Sequence, residues 1–346
     1  MKKTTLLLAS LVFSLAGFSA PAARAAGETT LKAPALAASL ENSRWAFTLP
    51  NGRAGWLGFS TENEKLSALL LWGSGHPRSV AVALKNDSVE LRRAYKHTGK
   101  NGARLARTDL LTARQTASGT LAIDLQTLDE NGKPVGRPAA FTATRIPDLP
   151  PAPDLSKLKY GAPVKLIRDD LSNWESMNPK AYNGWTLKNG VLTNTVVFPD
   201  GTKKRGANLR TTDKSFKDFR LAFEVSLPPD SNSGVYLRGI YEIQMSNSRQ
   251  ENAHQTMGSL YGRLAPSTNA EKPANEWQTV DIILADRHVT VVLNGVTIID
   301  NQPVLGVTGG AITADEFVPG PIYLQGDHTN ASYRNMTLTP IIKELR

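Results

Sequence analysis

The chain has 346 residues, with 40 Lys and Arg against 31 Asp and Glu for a formal net charge of +9, and it has no cysteine. The missing cysteines exclude disulfides, thiolate metal sites and a cysteine nucleophile together. The basic excess is scattered among acidic residues, apart from Arg92-Arg93 and Lys203-Lys204-Arg205, and lacks the continuous basic face that nucleic-acid binding needs.

The first residues predict export. Lys2 and Lys3 precede an apolar run from Thr4 to Ala20, and Ala23-Arg24-Ala25 offers the small-x-small pattern of a cleavage site. Residues 1–25 therefore read as a signal peptide, too short for a membrane span, and the expected location is periplasmic or secreted. Cleavage would leave 321 residues carrying +6, enough for two domains. Without disulfides, such domains must rest on their buried apolar cores. Residues 26–41 are alanine-rich and read as a leader.

Between 42 and 146 short strands alternate with turn signals. Trp45–Leu49 is followed by Pro50-Asn51-Gly52; Ser67–Trp72, Ser79–Leu84 and Ser88–Arg93 follow; Thr120–Thr127 and Ala139–Thr144 pair across Glu130–Lys133. No stretch keeps a helical period, so a small antiparallel barrel or sandwich is expected. Its tryptophans, Trp45, Trp56 and Trp72, read as core rather than as sugar platforms, because of the area a Trp buries. Four prolines within residues 147–154 mark a semi-rigid linker over 147–158.

From 159 to 346 the strands lengthen. Trp185–Thr193 is a hairpin turning at Asn189-Gly190; Phe219–Val225, Gly234–Gln244, Val280–Leu284, Val289–Leu293, Val296–Ile299, Pro321–Gln325 and Ser332–Leu338 follow. Ten or so strands without a helix predict two packed antiparallel sheets, and the fold class is all-β.

The polar array on one of these strands is informative. Alternation over 232–245 sends Val235, Leu237, Ile243 and Met245 to one face and Asn232, Tyr236, Arg238, Glu242 and Gln244 to the other. A second array, Gln325 to Asn335, holds His328 beside Asp327 at a strand end, and Tyr261 and Lys272 lie between the two. A surface ion pair and solvated loop residues would explain the same patterns.

The segments NSGVYLR, YEIQ, GSLYG, KP…EW, LNG and GPIYLQGDH…YRN occur in the order found in the 3-keto-disaccharide hydrolase family (domain of unknown function 1080), which residues 160 to 343 resemble. The likeness is looser at Ser246 and Asn247, where many relatives carry an aspartate. The resemblance implies a concanavalin-like jelly roll with a site on its concave sheet, acting on carbohydrate. Ordinary glycoside hydrolysis needs two carboxylates flanking the bond. Where laminarinase-like jelly rolls carry E-x-D-x-x-E, this chain offers Glu242 and then Gln244. A 3-keto sugar removes the need for the pair, because its carbonyl acidifies the C2 proton: one base takes that proton and the C1 substituent leaves. On this reading the catalytic set is Glu242, His328 and Arg238, with Glu242 as base and His328 as acid or the reverse. Asn232, Tyr236, Gln244, Tyr261, Lys272 and Gln325 would hold the sugar. A non-catalytic carbohydrate-binding module is the alternative, with a structural surface protein behind it. No cofactor or metal is required by the residues, although a divalent cation on loop oxygens would be compatible. The sequence leaves oligomeric state open.

Overall fold

A computed structural model describes residues 31–99, 102–247 and 252–342. The expected signal peptide and the first five leader residues lie outside them. The remainder of the leader differs from expectation. Ala33–Leu40 is an α-helix with Pro34 in its first turn, where a missing N–H costs nothing. Its Leu36 and Leu40 are fully buried in the core of the first domain, so this segment belongs to that domain. Among the described residues no helix is long and apolar enough to cross a membrane.

The first domain is a closed antiparallel barrel. Its strands are Arg44–Thr48, Ala54–Glu62, Lys65–Trp72, Ser74–Leu84, Val89–Thr98, Arg104–Gln115, Leu121–Leu128 and Pro134–Ile146. Each pairs with the next, and the last returns to the first through Arg44↔Ile146 and Phe47↔Ala143. Closure leaves no open sheet edge. Inward residues such as Trp45, Phe47, Leu57, Phe59, Leu91 and Leu111 fill the interior.

The second domain is a two-sheet sandwich. One sheet has nine strands, built around Ala331–Ile342, Phe219–Ser226 and Gln278–Ala285. The other has five, in the spatial order Trp174–Ser176, Leu209–Thr211, Tyr323–Leu324, Asn232–Leu237, Tyr241–Ser246. Phe219, Leu221 and Phe223 of the large sheet meet Val235, Leu237, Ile243 and Met245 of the small one in a single core. The opposite face of the small sheet is thereby left for polar residues.

The two domains meet along a glycine-lined seam. Trp56 points out of the barrel into the sandwich core, with the Arg263 guanidinium 4.0 Å above its ring and Gly306 against its edge. Gly309 packs directly on the Gly75 carbonyl, and the Gly310 N–H donates to the Gly73 carbonyl at 3.2 Å. The proline-rich segment is tied down as well: Arg287 donates to the carbonyls of Pro147 and Asp148, both at 3.0 Å. A Cβ at position 309 would land on backbone that has nowhere to go. Gly309→Ala is expected to cost about 1–3 kcal/mol as an overpacking change, read as a lower Tm in a thermal melt.

Candidate active site

The site is built on the hairpin of the small sheet. Asn232–Leu237 and Tyr241–Ser246 pair with Tyr236 opposite Glu242, Gly234 opposite Gln244 and Asn232 opposite Ser246. Tyr236, Glu242 and Gln244 therefore stand on one face, away from the core residues Val235 and Ile243. On the neighbouring strand Leu324 enters the core, while Tyr323 and Gln325 flank it on the site face. The rings of Tyr236 and Tyr323 stack with centroids 3.7 Å apart.

These side chains line a cavity of about 470 Å³ together with Asn208, Tyr261, Gly309, Asp327 and His328. That lies within the size range of small-molecule sites, roughly 300–1,000 Å³. Seven of the nine residues anticipated from sequence are in the lining: Asn232, Tyr236, Glu242, Gln244, Tyr261, Gln325 and His328. Two are not. Arg238 was expected on the same strand face, but the strand ends at Leu237 and Arg238 takes a left-handed φ of 55° in the hairpin turn. Its guanidinium turns inward to the carbonyls of Glu316 and Val318, which removes it from the array. Lys272 is exposed and holds its own loop, donating from Nζ to the Trp277 carbonyl at 3.1 Å.

Glu242 is the carboxyl of the lining that burial perturbs most visibly. Only 3% of it is exposed, and burial pushes its carboxyl up to about 8, with the Tyr236 hydrogen bond opposing and the Asp327 charge adding. The hydrogen-bond geometry accommodates the protonated form. The Tyr236 hydroxyl lies 2.7 Å from Glu242 Oε2 and 2.8 Å from the Gly309 carbonyl. A phenol has one proton, and a carbonyl and a carboxylate can only accept. Both contacts are satisfied when Glu242 carries a proton and donates it to Tyr236, while Tyr236 donates to Gly309. Glu242 Oε1 occupies the space over Gly234, where any Cβ would collide with it.

Asp327 is different. Burial pushes it up, but the His328 hydrogen bond and charge, with the field of Arg205, outweigh this and hold it below the ordinary carboxylate range. Its Oδ1 is 2.8 Å from His328 Nδ1. An ionised Asp327 accepts from Nδ1–H, leaving Nε2 as the nitrogen with a free lone pair. The cavity thus holds one neutral carboxylic acid and one carboxylate-imidazole pair. Two amide oxygens in the lining, Gln244 Oε1 and Gln325 Oε1, are buried with no partner among the described residues. Buried acceptors of this kind suit the hydroxyl donors of a sugar.

Sequence reasoning did not anticipate Tyr323, Asn208 or the Gly309-Gly310 turn as part of the site. Tyr323 was within reach, because it alternates with Gln325. The same lining also includes Arg53, Gly73, Ser74 and Gly75 from the barrel, which no local pattern signals.

A two-sheet sandwich with acid, amide and phenol groups converging in one cavity defines a carbohydrate-active jelly-roll protein. The chain belongs to the 3-keto-alpha-glucoside-1,2-lyase-like domain family, whose profile matches residues 164–339, just over half of its length. Among solved structures it is similar to a "putative glycosyl hydrolase" of Parabacteroides distasonis at 26% identity, covering 56% of this chain and 93% of that one, TM-score 0.42. A second P. distasonis protein of the same description matches at 22% identity over 51% of this chain and 98% of that one, TM-score 0.39. A β-glucanase of Bacillus licheniformis matches at 10% identity over 55% and 100%, TM-score 0.31. No curated protein matches the chain.

Proposed function

We propose that this chain is an exported enzyme that cleaves 3-keto-glycosides by elimination across C1–C2 followed by hydration. The observation that carries this reading is the neutral Glu242 hydrogen-bonded to Tyr236 beside the Asp327–His328 pair. His328 Nε2 removes the C2 proton that the adjacent carbonyl acidifies. Donors in the lining, the Tyr261 hydroxyl and the side-chain N–H groups of Gln325 and Arg205, are available to the enolate oxygen that develops. The C1–O bond breaks as Glu242 passes its proton to the leaving oxygen. The Tyr236 O–H then turns from Gly309 to the new carboxylate and stabilises it. Water adds to C1 of the enone, with ionised Glu242 taking its proton and protonated His328 returning one to C2. The product is the free 3-keto sugar, and both groups are restored.

The assignment of acid and base follows the resting protonation. Binding alone would not require a carboxyl kept neutral by burial, which separates this reading from a non-catalytic sugar module. Export rests on the pattern of residues 1–25. The test is substrate dependence: a 3-keto-glucoside should be turned over and the parent glucoside should not, because without the carbonyl the C2 proton is inert. Comparable rates on both would contradict the proposal.

A further inference from the structure

We propose that the barrel completes the cavity as an anion-recognising wall, so that the substrate is a 3-keto-glycoside bearing a negatively charged substituent, a carboxylate or a phosphate. This rests on the reading of the cavity as a 3-keto-glycoside site. The family match begins at residue 164, yet Arg53 and the Gly73–Gly75 turn, all from the barrel, stand in the lining.

Their position is fixed by packing. The stem of Arg53 lies on Gly73, whose missing side chain would touch Arg53 Cβ and Cδ at 3.0 Å. The turn itself is held by the Gly310 to Gly73 hydrogen bond and by Gly309 against Gly75. Ser74 and Gly75 are exposed at this lip.

Positive side chains outnumber ionised acids in the lining. Arg53 lines the cavity from the barrel and Arg205 lines it from the sandwich; both are exposed, and among the described residues neither guanidinium has an ion pair or a hydrogen bond. Lys203 and Lys204 flank Arg205 in the adjoining groove, with Lys204 Nζ steadied 4.3 Å over the Tyr182 ring. Against these cations the cavity offers Asp327, already committed to His328, and Glu242, which is neutral at rest. Guanidinium forks match carboxylate and phosphate geometry, and a neutral disaccharide would leave Arg53 without a counter-charge and Arg205 with only the transient enolate.

The experiment compares binding of phenyl glucoside and 4-carboxyphenyl glucoside by calorimetry, with turnover of their 3-keto forms as a second arm. The carboxylated ligand should bind about 10-fold more tightly, as two partly exposed charge contacts allow, and salt should erode the difference. Arg53→Gln and Arg205→Gln should each shrink that ratio several-fold. Equal affinities in the wild type, or a ratio unmoved in both variants, overturns the anion wall; turnover of both 3-keto substrates in that case leaves the cleavage reading standing. An anion preference that tracks the two arginines, with no turnover of either 3-keto form, keeps the wall and overturns the cleavage reading.

Discussion

Glu242→Gln is expected to lower kcat/KM on a 3-keto-glucoside by about 10²–10⁴-fold, the size of a general acid's contribution, while making the folded protein more stable near neutral pH. The two effects share one cause. The amide is isosteric with the neutral acid and can donate to Tyr236 in the same way, but it has no proton to give the leaving oxygen. In the wild type, burial raises the folded-state pKa to about 8 from an ordinary value of 4.5. The folded state therefore keeps a proton that the unfolded chain has lost. Stability is full below about pH 4.5, declines as pH rises, and reaches its floor above about pH 8. Glutamine does not titrate, so the Tm advantage of the variant should grow between pH 5 and pH 8 and then level off. Each unit of the interval corresponds to about 1.4 kcal/mol. The wild-type rate should fall as pH passes about 8, where the resting acid ionises. A Tm difference that stays constant across this range would mean that Glu242 is already ionised in the fold.

Gly234→Ala is expected to cost roughly 10²-fold in kcat/KM, the order of loss that follows a misplacement of about 1 Å in a catalytic group. The alanine Cβ would collide with Glu242 Oε1 and stand 3.0 Å from Cγ and 3.1 Å from Cδ. Gly234 sits in the middle of a strand, opposite Gln244 on one side and accepting from the Gln325 N–H at 2.9 Å on the other, so the backbone cannot retreat. The carboxyl must swing instead, and it loses its contact with Tyr236. Unlike a turn glycine, this one has no positive φ; it is glycine for room alone. The measurement is steady-state kinetics beside a thermal melt, with the loss in rate far exceeding what the change in folded fraction explains.

The sandwich was legible because its strands bury one face. Val235, Leu237, Ile243 and Met245 alternate with Tyr236, Glu242 and Gln244, and period two alone separates core from site. The same rule failed at Arg238, since alternation runs on past a strand end and a left-handed residue cannot be read from it. In the barrel, the strand Ala54–Glu62 escaped notice because both of its faces are covered. Leu57 and Phe59 point inward, and Trp56 points into the sandwich, so the stretch has no polar alternation to detect. The helix Ala33–Leu40 was missed for a similar reason. Eight residues are too few to display a period, and its role is to fill the barrel with Leu36 and Leu40. Arg53 could not have been placed in the site from sequence, because more than 150 residues separate it from the strand that carries Glu242 and only the seam brings them together.

The most direct measurement is turnover of a 3-keto-glucoside in D₂O, with the released sugar examined by mass spectrometry and proton NMR. Removal of the C2 proton by His328 and its return from a solvent-exchanged imidazole predicts one deuterium at C2, above the exchange shown by 3-keto-glucose standing alone in the same buffer. Product formed at full rate with protium retained at C2 would mean displacement at C1 without elimination, and would contradict the chemistry proposed for Glu242 and His328.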